Sequence, residues 1–172
     1  MIYYIIITLF SFLLIFSIIL ILLKNKINKL EKKILKHIKE KNNLIPSLYE
    51  TTKNILNKHN EIFKEILILR NKDFVESIYL KSLKEKSKTH KEIDKEINFI
   101  FKTCSKHPKL EKKAKFTLIK ENILSKNIYI WNKMKQYIKL INKFNNFIFI
   151  KNILIIWLFI PINKIKKIKL YL

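Results

Sequence analysis

The chain has 172 residues, 36 Lys plus Arg against 13 Asp plus Glu, a formal net charge of +23, one cysteine and no glycine. One thiol excludes an intramolecular disulfide and fits a reducing compartment, while the lack of glycine excludes a phosphate-binding glycine loop. Arg70 is the single arginine, which argues against a dedicated nucleic-acid reader, because Arg supplies the bidentate contacts to bases and phosphates. The abundance of Lys, Asn, Ile and Phe is what AT-rich codons encode, so coding bias accounts for much of the charge.

Met1 to Leu23 contains no charged side chain, and Lys24, Lys26, Lys29, Lys32, Lys33 and Lys36 follow at once. As a helix at about 1.5 Å per residue this run reaches roughly 35 Å, enough for a hydrocarbon core of about 30 Å with some tilt. A secretory signal peptide would place a positive charge before a shorter apolar core and end it in small residues; no Lys or Arg precedes Lys24 and no Ala or Gly lies near. A core helix would carry a polar stripe, which Tyr3, Tyr4, Thr8, Ser11 and Ser17 do not form. Residues 1–23 therefore read as a transmembrane anchor. The lysines behind it predict a single-pass topology in the cell membrane, with a short N-terminus outside and the rest of the chain cytoplasmic.

The stripe Leu30, Ile34 and Ile38 predicts that the anchor helix continues past the membrane. Pro46 interrupts that helix or opens the next one, with Asn43 as a candidate N-cap. From Leu48 the positions Leu48, Thr52, Ile55, His59, Ile62, Ile66 and Leu69 alternate spacings of four and three, the pattern of a helix-packing seam. Lys84 to Lys95 is rich in charge and reads as a solvated turn or exposed helix end. A third helix follows through Ile93, Ile97, Ile100 and Cys104, and Pro108 marks its end. A fourth runs through Phe116, Ile119, Leu124, Ile128, Trp131, Met134, Ile138, Ile141 and Phe144. With no glycine for tight hairpins and a period near 3.6, the expected fold is all-α: an anchor followed by an antiparallel four-helix-type bundle over 24–146. Phe147 to Ile162 is apolar but broken by Lys151 and Asn152. The segment 147–172 is expected to lie at the membrane interface, the alternatives being a second span or a helix capping the bundle.

Leu44-Ile45-Pro46-Ser47-Leu48, followed by Glu50, Lys53, His59, Glu61 and Arg70-Asn71, resembles the signature segment of the LemA family of bacterial membrane-anchored proteins. His107-Pro108-Lys109-Leu110 is similar to the family's aromatic-Pro-x-Leu segment, and Trp131-Asn132 to its Tyr-Asn pair on the last helix. Where the family usually carries an Arg about one turn before that pair, this chain has Ile128. The resemblance implies an N-terminal transmembrane helix followed by a cytoplasmic antiparallel helical bundle, and it singles out Leu44, Ile45, Pro46, Leu48, His59, Glu61, Arg70, Pro108, Trp131 and Asn132 as structural or partner-contact positions. It implies no reaction.

The residues themselves point away from catalysis. His59 lies on the seam near Glu61, where a lone histidine is ordinarily a structural residue. Cys104 and His107 have a C-x-x-H spacing, two ligands short of a structural zinc site. Arg70, one residue beyond the seam, is placed to pair with an acid on a facing helix, the alternative being an external carboxylate or phosphate. No cofactor is expected. The expected function is a non-catalytic interaction or scaffold surface at the anionic inner leaflet, for a protein partner or a second copy of the chain. The alternatives are an electrostatic binder of anionic lipid or nucleic acid, nucleic acid being the weaker, and a two-span membrane component.

Overall fold

The computed structural model describes residues 1–54, 56, 61, 64–68, 83–153 and 164–165. Among them there is no strand, as the glycine-free sequence predicts. The helices are α1 (Ile2–Asn42), α2 (Ile45–Thr52), α3 (Leu83–Cys104), the single turn α4 (Pro108–Glu111) and α5 (Ala114–Ile153). Two units divide the chain, one formed by Met1–Lys33 with Lys133–Ile168 and the other chiefly by Ile34–Asn132.

In the first unit α1 pairs with the C-terminal half of α5. The Phe16 and Phe147 rings lie 5.9 Å apart, and the Tyr137 hydroxyl donates to Glu31 Oε2 at 3.2 Å. The first pair couples a low number on α1 to a high one on α5 and the second does the reverse, so the helices run antiparallel. Phe16, Leu20 and Ile27 are buried on α1, and Met134, Tyr137, Ile141, Phe144 and Ile148 on α5. Burial and then the neighbouring Glu31 carboxylate push the Tyr137 phenol well above its usual range. The first fifteen residues of α1 keep most of their large apolar side chains exposed, among them Tyr3, Phe10 and Ile15. Among the described residues α1 is the one helix long and apolar enough to cross a membrane.

The second unit holds the main core. Ile45 and Leu48 of α2, Ile93, Ile97, Ile100 and Cys104 of α3, Leu110 of α4, and Phe116, Ile119 and Ile123 of α5 are buried together with Leu56 and Ile66. Phe101 and Phe116 meet edge to face at 6.3 Å. α1 and α5 are antiparallel here as well: the His37 ring packs tilted against Tyr129 at 4.1 Å, and one turn further along α1 Glu40 accepts from Lys126 at 2.7 Å.

Several expectations change. Pro46 does open α2, but Leu44 is the N-cap and no side chain caps the helix; Asn43 sits in the preceding turn. α2 stops at Thr52, where the seam predicted continuation, and residues 53–54 form a turn before helix is found again at 64–68. The Thr51 and Thr52 hydroxyls donate back to the Ser47 and Leu48 carbonyls at 2.7 and 2.8 Å, a local contact that slightly weakens a helix. Of the two readings of Lys84 to Lys95, a turn or an exposed helix end, the second holds in part: the stretch is the N-terminal part of α3, with Lys91, Glu92 and Lys95 exposed but Thr89 and His90 buried. On α5, Leu124, Ile128 and Trp131 are exposed, while Ile123, Tyr137 and Ile148 are buried. The seam positions Ile55, His59, Ile62 and Leu69 lie outside the described residues.

Candidate functional site

The most unusual chemistry of the second unit is a buried cation. Lys41, in the last turn of α1, is 1% exposed. Its ammonium donates to Asp94 of α3 and to Asn127 Oδ1 of α5 at 2.9 Å, and His90 Nδ1 of α3 lies 3.5 Å away. An isolated buried ammonium is prohibitively unfavourable, so it persists only with an anion and further acceptors around it. Two helices supply them, α3 and α5. Since an ammonium has only protons to give, His90 Nδ1 must accept, which leaves the imidazole proton on Nε2. That Nε2 is buried with no hydrogen-bond partner. Desolvation, with the Lys41 charge second, holds the His90 imidazole well below its ordinary range and therefore neutral.

A second polar layer flanks the first. Glu40 accepts from Lys126, and His37 Nδ1 stands 3.2 Å from the same carboxylate. The Lys126 hydrogen bond holds the Glu40 carboxyl below the usual range. These groups form ion pairs and hydrogen bonds between helices, with no nucleophile aligned to a base and no concentration of His, Cys, Asp and Glu sufficient for a metal among the described residues. The arrangement can fix helices against one another. Sequence reasoning missed it, although a signal was present: Lys41 continues the stripe Leu30, Ile34, Ile38 at a spacing of three, His90 precedes Ile93 by three, and Asn127 follows Ile123 by four.

Of the positions singled out by sequence, Ile45 and Leu48 are fully buried and Leu44 packs against them. Pro46 is half-buried, while Glu61, Pro108, Trp131 and Asn132 are exposed. His59 and Arg70 lie outside the described residues. Cys104 is in the core, with burial pushing its thiol up to about 11; His107 is exposed and stands at the N-cap of α4 in the extended conformation favoured before proline. The C-x-x-H pair is thus split between core and surface. Leu124, Ile128 and Trp131, at spacings of four and three on α5, make an exposed apolar stripe with 39%, 63% and 40% of their surface open.

The described residues define an all-helical protein in which an apolar, membrane-compatible helix runs directly into a packed bundle with a polar seam. Comparison with curated proteins gives no match. The family model of the LemA family matches residues 30–155, and the chain belongs to that family.

Proposed function

We propose that this is a non-catalytic, single-pass membrane protein whose LemA-type bundle presents an interaction surface at the cytoplasmic face of the membrane. The exposed stripe of Leu124, Ile128 and Trp131 carries the reading. Large apolar side chains aligned on one helix face are the usual anchors of protein interfaces, and Trp is the residue most enriched there. Ile128 stands where the family usually has an Arg, so the stripe gives this chain an apolar contact where its relatives offer a charge. Topology is supported by the lysines that follow Leu23, which hold their side in the cytoplasm.

The test is affinity isolation of the full chain from gently solubilised membranes, beside Ile128→Asp and an anchor-deleted version. Partners recovered by the wild type should be lost with Ile128→Asp at unchanged helical signal. Equal recovery by the two would refute the stripe. A second reading, electrostatic binding to anionic lipid, rests on the lysine excess beside the apolar helix and predicts steep salt dependence without a protein partner.

A further inference from the structure

A histidine is an unusual side chain to bury against a cation. Nδ1 of His90 lies against the Lys41 ammonium as an acceptor, while Nε2, which then carries the one ring proton, is buried without a partner among the described residues. An unmet buried donor costs stability, and a neutral amide could accept from Lys41 without titrating. What an imidazole adds is a charge that changes between about pH 5 and 8. Lys41 faces it from α1. Asp94 stands four residues further along its own helix and binds the same ammonium, and from α5 comes the neutral Asn127. The remaining charged groups nearby are engaged elsewhere: Glu40, His37 and Lys126 meet in the adjoining layer, and Glu50 pairs with Lys53 on the surface of α2.

The attachment that these groups make is also separable from the main core. Among the described residues, the apolar cluster shared by α2, α3, α4 and the start of α5 includes no residue of α1. α1 meets α3 through Lys41, with His90 and Asp94 receiving it.

Protonation reverses the role of Nδ1. An imidazolium has only protons to give, so it cannot accept from Lys41 and instead sets a second positive charge 3.5 Å from the first. Residues four apart lie on one face of a helix within reach of each other. Since His90 and Asp94 already converge on one ammonium, the carboxylate can turn from Lys41 to His90. A contact between two helices is then exchanged for one inside α3. Lys41, 1% exposed, loses two of the acceptors that hold it, and a buried cation so deprived is driven toward water.

We propose that Lys41, His90 and Asp94 form a proton-operated latch, which holds the last turn of α1 on α3 while His90 is neutral and releases it when His90 takes a proton and draws Asp94 away. Burial, with the Lys41 charge second, keeps the proton off His90 in the closed form, whereas the open form takes it at the ordinary value of 6.5. Acid therefore favours opening. Below about pH 6.5 the ratio of open to closed chains should rise about tenfold per pH unit, until Asp94 itself protonates near about pH 4.

The experiment measures distances in the full chain in mild detergent, with Cys104→Ala and spin labels on Lys39→Cys of α1 and Lys95→Cys of α3, both exposed sites. A reference pair on Lys102→Cys and Lys115→Cys, also exposed, flanks the Phe101–Phe116 contact of the core. Double electron-electron resonance should give one distance for the first pair at neutral pH and a second, longer one in acid, with the open-to-closed ratio rising about a hundredfold between about pH 7.5 and 4.5. The reference pair should hold its distance, and His90→Gln should keep the first pair at its closed distance throughout. A single closed distance down to about pH 4.5 in the chain with His90 overturns the proposal. So does an acid shift that persists in His90→Gln, or one in which the reference pair changes in step, which is unfolding of the whole bundle. If His90→Gln lowers the helical signal, imidazole ¹⁵N resonances of the chain with His90 decide instead: His90 must gain its proton in step with the longer distance, and a ring that stays neutral as the helices part excludes it as the trigger.

Discussion

Removing the two charges of the Lys41–Asp94 pair one at a time should have unequal effects. Lys41 is 1% exposed and the Asp94 side chain 35%. Asp94→Asn takes the carboxylate from a buried ammonium that also faces the neutral acceptors Asn127 and His90, and should destabilise the protein by about 3 to 5 kcal/mol, the range for a buried charge that loses its partner. Lys41→Met keeps an unbranched side chain of similar length and leaves a carboxylate that can turn to water, so its effect should be smaller, about 1 to 3 kcal/mol, mainly from the unmet acceptors. The double variant should cost less than the sum, since neither charge is left behind. Urea titrations of the full chain in mild detergent, followed by circular dichroism, give the three values. Equal losses from the two single variants, or a larger loss from Lys41→Met, would show that the ammonium is not the buried member and refute the reasoning.

His90 makes stability depend on pH. Its folded pKa lies below the ordinary value of 6.5, so below about pH 6.5 the unfolded chain takes a proton that the folded one refuses; stability should fall by about 1.4 kcal/mol per pH unit until the folded value is reached. His90→Gln should flatten that limb in urea midpoints measured across pH, and parallel curves for the two proteins would remove His90 as the cause. Ile97→Ala, at a fully buried site, should cost about 2 to 5 kcal/mol, whereas Lys95→Ala on the exposed face of the same helix should stay within about 0.5 kcal/mol in the same titration. Cys104, buried with its thiol raised to about 11, should react with a chromogenic disulfide reagent only as the protein unfolds, and rapid reaction of the native chain would contradict its place in the core.

Much of the fold could be read from apolar spacing, because a helix that must bury one face repeats its large residues near 3.6. Ile34, Ile38, Leu48, Ile93, Ile97, Ile100, Cys104, Phe116, Ile119, Met134, Ile141 and Phe144 are buried as that rule predicts. It failed on α5 between residues 120 and 132, where isoleucine and leucine occur on two faces and either stripe satisfies the period. The packed one passes through Ile123 and Asn127; reading only apolar residues followed Leu124, Ile128 and Trp131 instead. The same habit hid Lys41 and His90, since charge and polarity are taken as marks of the surface unless the position is judged by spacing alone. The end of α2 at Thr52 is something hydrophobic periodicity does not register, since the four-three spacing runs on through that position.

The cluster around Lys41 also bears on how so repetitive a sequence selects one alignment. Seams built almost wholly of isoleucine and leucine are nearly interchangeable from one turn to the next, so apolar packing alone discriminates weakly between neighbouring offsets of two helices. Sliding α1 by one turn, about 5.4 Å, along α3 would carry Lys41 away from Asp94 and bury its ammonium among hydrocarbon. A single polar contact of this kind acts as a key that admits one register and makes the adjacent ones unfavourable, much as one buried asparagine does in a coiled coil.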